Sequence, residues 1–191
     1  MSKRENEVPA QVVPLKLRKF EGLQKEFYDV TLIVGDTKFQ VLKAQLAQQS
    51  DVFHTLFFGE YAEKNKEEIT LEEVDPTYFQ KLLELIHLEV CLTDGNIEGV
   101  MKICKMFLVQ SALSHCQEFL IFKSKLPIRK KWDLALEYGF TGLRDRIIQN
   151  VKGKNDLERL IPKDLSEWDQ STTRQLFEKT LIILGIQYPP R

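Results

Sequence analysis

Hydrophobic positions recur with a period of two near the start of the chain and with helical spacing almost everywhere after it. Tyr28 to Val34 (YDVTLIV) is rich in β-branched and aromatic residues, with Val30, Leu32 and Val34 on one face, the pattern of a strand. Gly35-Asp36 predicts a hairpin turn, and Thr37 to Val41 returns with Phe39 and Val41 in phase. Helical patterns follow over Lys43–Ser50 and Asp51–Phe58, with Asp51 or Ser50 as cap for the second. Gly59 to Glu68 is polar and loop-like, and Glu68 to Glu72 alternates Ile69 and Leu71 as a short strand. Asp75-Pro76 is a strong helix start, because Asp accepts free N–H groups and Pro tolerates the first helical position. Behind it Tyr78, Phe79, Leu82, Leu83 and Ile86 recur at helical spacing. Two further stripes predict buried helix faces: Ile97, Val100, Met101, Cys104, Phe107 and Leu108, then Ala112, Leu113, Cys116, Phe119 and Leu120.

The basic stretch Lys123 to Lys131 (KSKLPIRKK) contains Pro127 and marks a boundary. Only helices are expected beyond it: 130–138 ended by Gly139, 142–151 capped by Thr141, Asn155 to Ile161, and 172–184 capped by Ser171. Leu143, Ile147, Ile148 and Val151 form one apolar face; Leu176, Phe177, Leu181 and Leu184 form another. Residues 1–26 show no clear period and read as a flexible arm, with one short strand around Val12 to Leu17 and order beginning at Phe27. The expected division is therefore an arm over 1–26, a domain over 27–122 and a helical extension over 123–191.

Composition narrows the function classes. The chain has 191 residues, 43% apolar and 29% charged, with a formal net charge of −1. That is enough for one sizeable core and too apolar for wholesale disorder. Near-zero net charge removes the global attraction that a nucleic-acid or acidic-membrane binder usually carries. No apolar run approaches the roughly 20 residues that cross a bilayer, and the opening MSKRENEVPA lacks the apolar stretch of a secretory signal. A cytoplasmic or nuclear location is expected, with Cys91, Cys104 and Cys116 as reduced thiols.

Catalytic motifs are missing: the sequence has no GxSxG, no Gly-rich phosphate loop and no HExxH. Cys116 has His115 beside it, but neighbours on a helix point about 100° apart and form no nucleophile–base pair. Cys116 also lies on an apolar stripe, the position of a structural thiol. His54 and His87 are isolated, and no Cys/His spacing suits zinc. The expectation is no enzyme, no cofactor and no metal. Lys123, Lys125, Arg129, Lys130 and Lys131 could touch nucleic acid or direct nuclear import. They lack interleaved aromatics, so a solvated linker is the favoured reading.

The order hairpin, helix pair, strand, then three helices resembles the BTB/POZ domain over about residues 27–122. The resemblance is carried by Asp29-Val30-Thr31-Leu32, by Phe39, Lys43, Leu46, Ser50, Phe53 and Leu56-Phe57, and by Ile69, Leu71, Val74-Asp75-Pro76, Phe79, Leu83 and Ile86; it ends with Cys116 and Phe119-Leu120. Leu42 stands where that family often has His, and His87 where it usually has Tyr. The tail, especially Trp132–Tyr138 and Asn155–Pro162, is similar to the helical BACK-like continuation of MATH–BTB adaptors. In that group a substrate-gripping MATH domain precedes the BTB domain, and the 26 residues ahead of Phe27 are too few for one. Either the target is recruited by other means, or the chain is a partner or competitor of longer relatives.

The resemblance implies an α+β fold: a short sheet flanked by helices, then an all-helical C-terminal extension. It implies a protein-interaction module, expected as a substrate adaptor or scaffold of a cullin-3 ubiquitin ligase, with a dimerising scaffold without ligase role as the alternative. Adaptors that bind cullin-3 carry a hydrophobic residue, any residue, then Glu before the third strand. Here that is Tyr61-Ala62-Glu63, with Tyr61 as aromatic anchor and Glu63 fixing the loop. Phe107 takes the place of an aromatic that helps form the cullin-facing surface; a core role is equally open to it. Leu42, Gln45 and Leu46 on the first helix are the expected dimer interface. Expected partners are cullin-3, a second copy or another BTB protein, and an unidentified target protein; nucleic acid and membrane are not among them.

Overall fold

A computed structural model describes residues 18–60, 66–89, 91–161 and 168–187. The expected strand around Val12 to Leu17 lies outside them, as do Tyr61, Ala62 and Glu63. Strands β1 (Val30–Val34) and β2 (Thr37–Val41) form an antiparallel hairpin in which Leu32 faces Phe39 and Val34 faces Thr37. Gly35 makes the turn at φ +58°, a left-handed conformation costly for any residue with a Cβ. Strand β3 (Glu68–Leu71) joins the other edge of β1 in parallel, giving the order β2-β1-β3. As the central strand, β1 is covered on both faces: Thr31 is buried along with Val30, Leu32 and Val34.

Helices α1 (Lys43–Gln49) and α2 (Asp51–Phe58) follow the hairpin. The first free N–H of α1 is taken from a distance: Lys43 N donates to Asp29 Oδ1 at 2.7 Å. Of the two expected caps for α2, Ser50 is the one used, its Oγ accepting from Phe53 N at 3.1 Å. Helix α3 (Pro76–Ile86) starts as expected on Asp75, whose Oδ1 accepts from Thr77 N at 2.8 Å. Helices α4 (Ile97–Met106) and α5 (Gln110–Phe122) complete the unit. Its centre is aromatic. Phe53 stacks on Phe107 at 4.6 Å, and Phe79 meets Phe39 at 5.1 Å and Phe107 at 5.6 Å edge-on.

Residues 18–26 correct the expected arm boundary. Phe20 is buried, with its ring 5.2 Å from the His87 ring. Its carbonyl accepts from Gln40 N at 2.6 Å, and Gln40 Oε1 accepts from Leu23 N at 2.7 Å. At the leading end Arg18 N donates to Glu89 Oε2 at 3.0 Å, and Arg18 O accepts from Gln80 Nε2 at 3.1 Å. The segment is a strap across β2 and α3. One buried phenylalanine without periodic companions leaves no pattern from which to foresee it.

The extension consists of α6 (Ile128–Glu137), α7 (Thr141–Asn150), α8 (Lys154–Leu160) and α9 (Gln170–Ile183). Helix α7 packs on α5, α6 and α9, and α8 packs on α6. Trp132 is fully buried, its ring 6.3 Å from that of Trp168. Two caps differ from expectation. Thr141 is the first residue of α7, with no side-chain cap before it. Helix α9 starts on Asp169 rather than Ser171, and Asp169 Oδ1 accepts from Thr172 N at 2.6 Å. A carboxylate at that end also gains from the helix dipole, and Arg144 pairs with it.

Three of the five basic side chains, those of Arg129, Lys130 and Lys131, are engaged in this packing. Lys130 Nζ lies 2.7 Å from Glu98 Oε2, Lys131 Nζ donates to Ser124 O at 2.8 Å, and Lys125 N donates to Asp94 Oδ2 at 2.8 Å. Arg129 reaches the carbonyl of Ile161 at 3.0 Å.

Candidate functional site

Helix α2 turns two phenylalanines inward, Phe53 and Phe57, and leaves His54 and Phe58 outward with ring centroids 5.7 Å apart. At its N-terminal end it meets the α4–α5 turn. The Ser50 hydroxyl donates to the Phe107 carbonyl, and Ser111 Oγ donates to Gln49 Oε1 at 2.7 Å. At its C-terminal end the chain runs through Gly59 and Glu60 toward Tyr61.

The turn itself is a helix stop made without glycine. Val109 N donates to Cys104 O at 2.9 Å, and Leu108 takes φ +52°, the left-handed position that usually falls to Gly. This geometry sends Phe107 down into the aromatic core and throws Met106 and Leu108 out, 48% and 50% exposed. Two expectations change as a result. Phe107 is not a surface aromatic: it is buried and supports the turn from beneath. Leu108 is not part of the α4 stripe, because the helix ends at Met106 and the reversal flips the residue to the outside. Leu108 was missed in the sequence because an apolar residue in phase with a buried stripe looks like core; Met106 and Phe58 lie off the named stripes and carry no signal of their own.

The outward face of α2 thus carries His54 and Phe58, and the turn beside the N-terminal end of the helix carries Met106 and Leu108. The turn is held by three hydrogen bonds within its own helix end, two of them at 3.0 and 3.2 Å from Phe107 N and Leu108 N. A turn pre-ordered this way loses little conformational freedom on contact with a partner.

The first-helix candidates separate. Leu46 is 1% exposed and belongs to the core, so it is corrected from interface to packing residue. Leu42 is exposed and Gln45 half-buried. Both line a groove of about 280 Å³ that the strap closes with Phe20, Leu23 and Phe27. Phe27, also missed, is exposed at its edge.

The cysteines take the structural role. Cys104 and Cys116 are fully buried. A hydrogen bond shared with Cys104, and then burial, hold the Cys116 thiol above its ordinary range. Burial, followed by the nearby Glu84 carboxylate, pushes Cys91 up to about 12. Thiols kept protonated are poor nucleophiles and poor metal ligands. His115 faces Glu118 at 3.8 Å on the surface. Among the described residues no group of His, Cys, Asp or Glu could hold a metal ion, and no helix is long and apolar enough to cross a membrane.

Comparison with known proteins agrees with this architecture. The BTB/POZ domain family matches residues 20–124. BTB and MATH domain-containing protein 15 of Caenorhabditis elegans is 42% identical over 135 residues, 71% of this chain and 50% of that protein. BTB and MATH domain-containing protein 45 of the same organism is 28% identical over 178 residues, 93% of this chain and 37% of its own length, so the likeness runs on into the helical extension. Kelch-like protein 41 of Mus musculus is 29% identical over 98 residues, 51% of this chain and 16% of that protein. Among solved structures, the BTB domain of zebrafish PATZ1 is 26% identical, with a TM-score of 0.41 over 48% of this chain and 73% of that one. The chain spans half or less of the length of each of these three full-length relatives. With a small mixed sheet, its flanking helices and a family match over more than half of its residues, the chain belongs to the BTB/POZ domain family and is built for protein interaction.

Proposed function

We propose that this protein is a substrate adaptor or scaffold of a cullin-3 ubiquitin ligase and performs no catalysis itself. The observation that carries the reading is the pre-ordered apolar turn of Met106 and Leu108 beside the outward face of α2. Such a surface suits one face of a helical partner; the exposed His54 and Phe58 of α2 are further candidates for contact, and the resemblance adds Tyr61 and Glu63, which lie outside the described residues. Transfer would be promoted by proximity. One face holds the cullin, another holds the target, and the reaction becomes effectively intramolecular.

Dimerisation belongs to the same proposal. Leu42 and Phe27 are exposed apolar residues lining the strap groove, and Gln45 lines it with an amide. A second copy seated there would cover both. A dimerising scaffold without ligase role is the rival, and the same groove favours it equally.

Titration of the full chain with the N-terminal domain of cullin-3 separates the two. Binding that weakens at least tenfold in Met106→Asp/Leu108→Asp and in Tyr61→Ala/Glu63→Ala supports the adaptor. No binding by a wild-type chain that still dimerises sinks it in favour of the scaffold.

A further inference from the structure

The strap is lightly held. Of residues 18–26 only Phe20 is fully buried. Among the described residues its backbone is tied to the domain at Arg18 N and O, Phe20 O and Leu23 N, through Glu89, Gln80 and Gln40. A segment with one buried side chain and few backbone hydrogen bonds opens locally while sheet and helices stay closed. Its downstream end stays pinned, because Asp29 N donates to Val41 O at 3.2 Å.

That one buried ring rests on a titratable group. The Phe20 and His87 ring centroids are 5.2 Å apart. His87 Nδ1 lies 2.8 Å from the Leu83 carbonyl oxygen. A carbonyl only accepts, so the neutral imidazole carries its proton at Nδ1 and a second proton has to enter at Nε2.

Charge around His87 opposes that second proton. The groove beside it is lined by Arg18 and Lys19 from the strap, and β2 and α1 line it with uncharged residues such as Gln40 and Gln45. Within α3, the buried Glu84 carboxylate is taken by Gln80 and Lys81. Beyond His87 the chain reverses at Leu88, φ +60°, with Glu89 N on Glu84 O at 2.9 Å. Glu89 is thereby brought to Arg18, whose Nε lies 3.4 Å from Oε1. Burial, aided by Arg18, outweighs the Leu83 carbonyl and Glu89 and holds the imidazole below its ordinary range. A protonated His87 has two courses, and both loosen the strap. Unpaired, it repels Arg18; paired with Glu89, it draws away the carboxylate that anchors Arg18.

We propose that the strap is an acid-released latch: protonation of His87 frees residues 18–26 from β2 and α3 while the rest of the chain stays folded. Release uncovers the floor of the groove, where the buried Val41 and Leu46 lie, so apolar surface becomes accessible on acidification. The release itself requires neither a cullin nor a second copy.

Amide hydrogen exchange on the full chain, followed by NMR, tests the latch. Gln40 N donates to Phe20 O and Leu23 N to Gln40 Oε1, so these two amides report the strap. Thr31 N, bonded to Glu67 O, and Val109 N, bonded to Cys104 O, report the rest. After correction for intrinsic exchange rates, protection at Gln40 and Leu23 should fall severalfold between about pH 7.5 and pH 5.5, up to the roughly tenfold that one proton allows over this range. Protection at Thr31 and Val109 should not change, and in His87→Gln none of the four should. The proposal is overturned by strap protection that is constant with pH in wild type, that falls equally in His87→Gln, or that falls together with Thr31 and Val109. A second measurement reads the same linkage from the other side. Phe20→Ala removes the strap's anchor and should raise the His87 titration midpoint, followed by its ring-proton shifts, toward the ordinary 6.5. A wild-type midpoint equal to or above that of Phe20→Ala would overturn the latch even if His87→Gln failed to fold.

Discussion

One hydroxyl, that of Ser50, caps α2 by accepting from Phe53 N and donates to the carbonyl of Phe107 across 57 residues of sequence. Helix α2 and the α4–α5 turn are thereby referenced to a single atom.

Ser50→Ala should destabilise the chain by about 2–3 kcal/mol, since it removes a helix cap and leaves a buried carbonyl unpaired. Urea unfolding measures this. If Met106 and Leu108 form the docking turn, binding to the cullin domain should fall in Ser50→Ala at temperatures where the variant remains folded. A loss below 0.5 kcal/mol would mean that Ser50 does not hold the turn.

Leu108→Gly should separate stability from binding. The left-handed conformation costs a residue with a Cβ about 1 kcal/mol, so the variant should melt at the same temperature as wild type or higher. Its affinity for the partner should drop, because the outward side chain is gone. A destabilised variant would contradict the strain assigned from φ +52°.

Gly99 lies in α4 directly under the Tyr78 ring, and a Cβ there would overlap Cζ, Cε1 and Cε2 of that ring. Gly99→Ala should therefore destabilise the chain by about 2 kcal/mol, despite the usual gain of roughly 1 kcal/mol for Ala over Gly in a helix. In a Tyr78→Ala background the sign should reverse, and the double-mutant cycle reads the clash directly.

His87 gives a pH dependence with a definite sign. Burial is the main cause that lowers its pKa from 6.5, aided by Arg18 and opposed by the Leu83 carbonyl and by Glu89. Above pH 6.5 the imidazole is neutral in both states and stability is full. Below it the unfolded chain takes up a proton first, and stability is lost until the lower folded value is passed. The urea midpoint of wild type should fall more between pH 7 and pH 5 than that of His87→Gln. Parallel curves for the two would remove His87 from the pH response.

Local chemistry made much of the fold legible before any coordinates. The hairpin at Gly35, the Ser50 and Asp75 caps and the stripes of α3 to α5 each depend on residues within a few positions of one another. What escaped reading was non-local or ambiguous. Asp29 caps α1 from across the hairpin, and Phe20 is buried by β2 and His87 rather than by its own neighbours. At Ser171 a capping residue was present, but Asp169 two positions earlier competed better. The site was harder. Leu108 and Leu88 end helices in a conformation that sequence normally announces with Gly, so nothing marked them as outward. Phe107, an aromatic in phase with the α4 stripe, went to the core, and the turn around it, not its ring, faces solvent.

The segment that carries Tyr61 and Glu63 runs between two anchored ends. On one side Gly59 N closes α2 on Thr55 O; on the other Glu67 O accepts from Thr31 N and β3 locks onto β1. Both attachment points are therefore fixed: the helix sets where the chain leaves α2, and the parallel pairing of β3 sets where it re-enters the sheet.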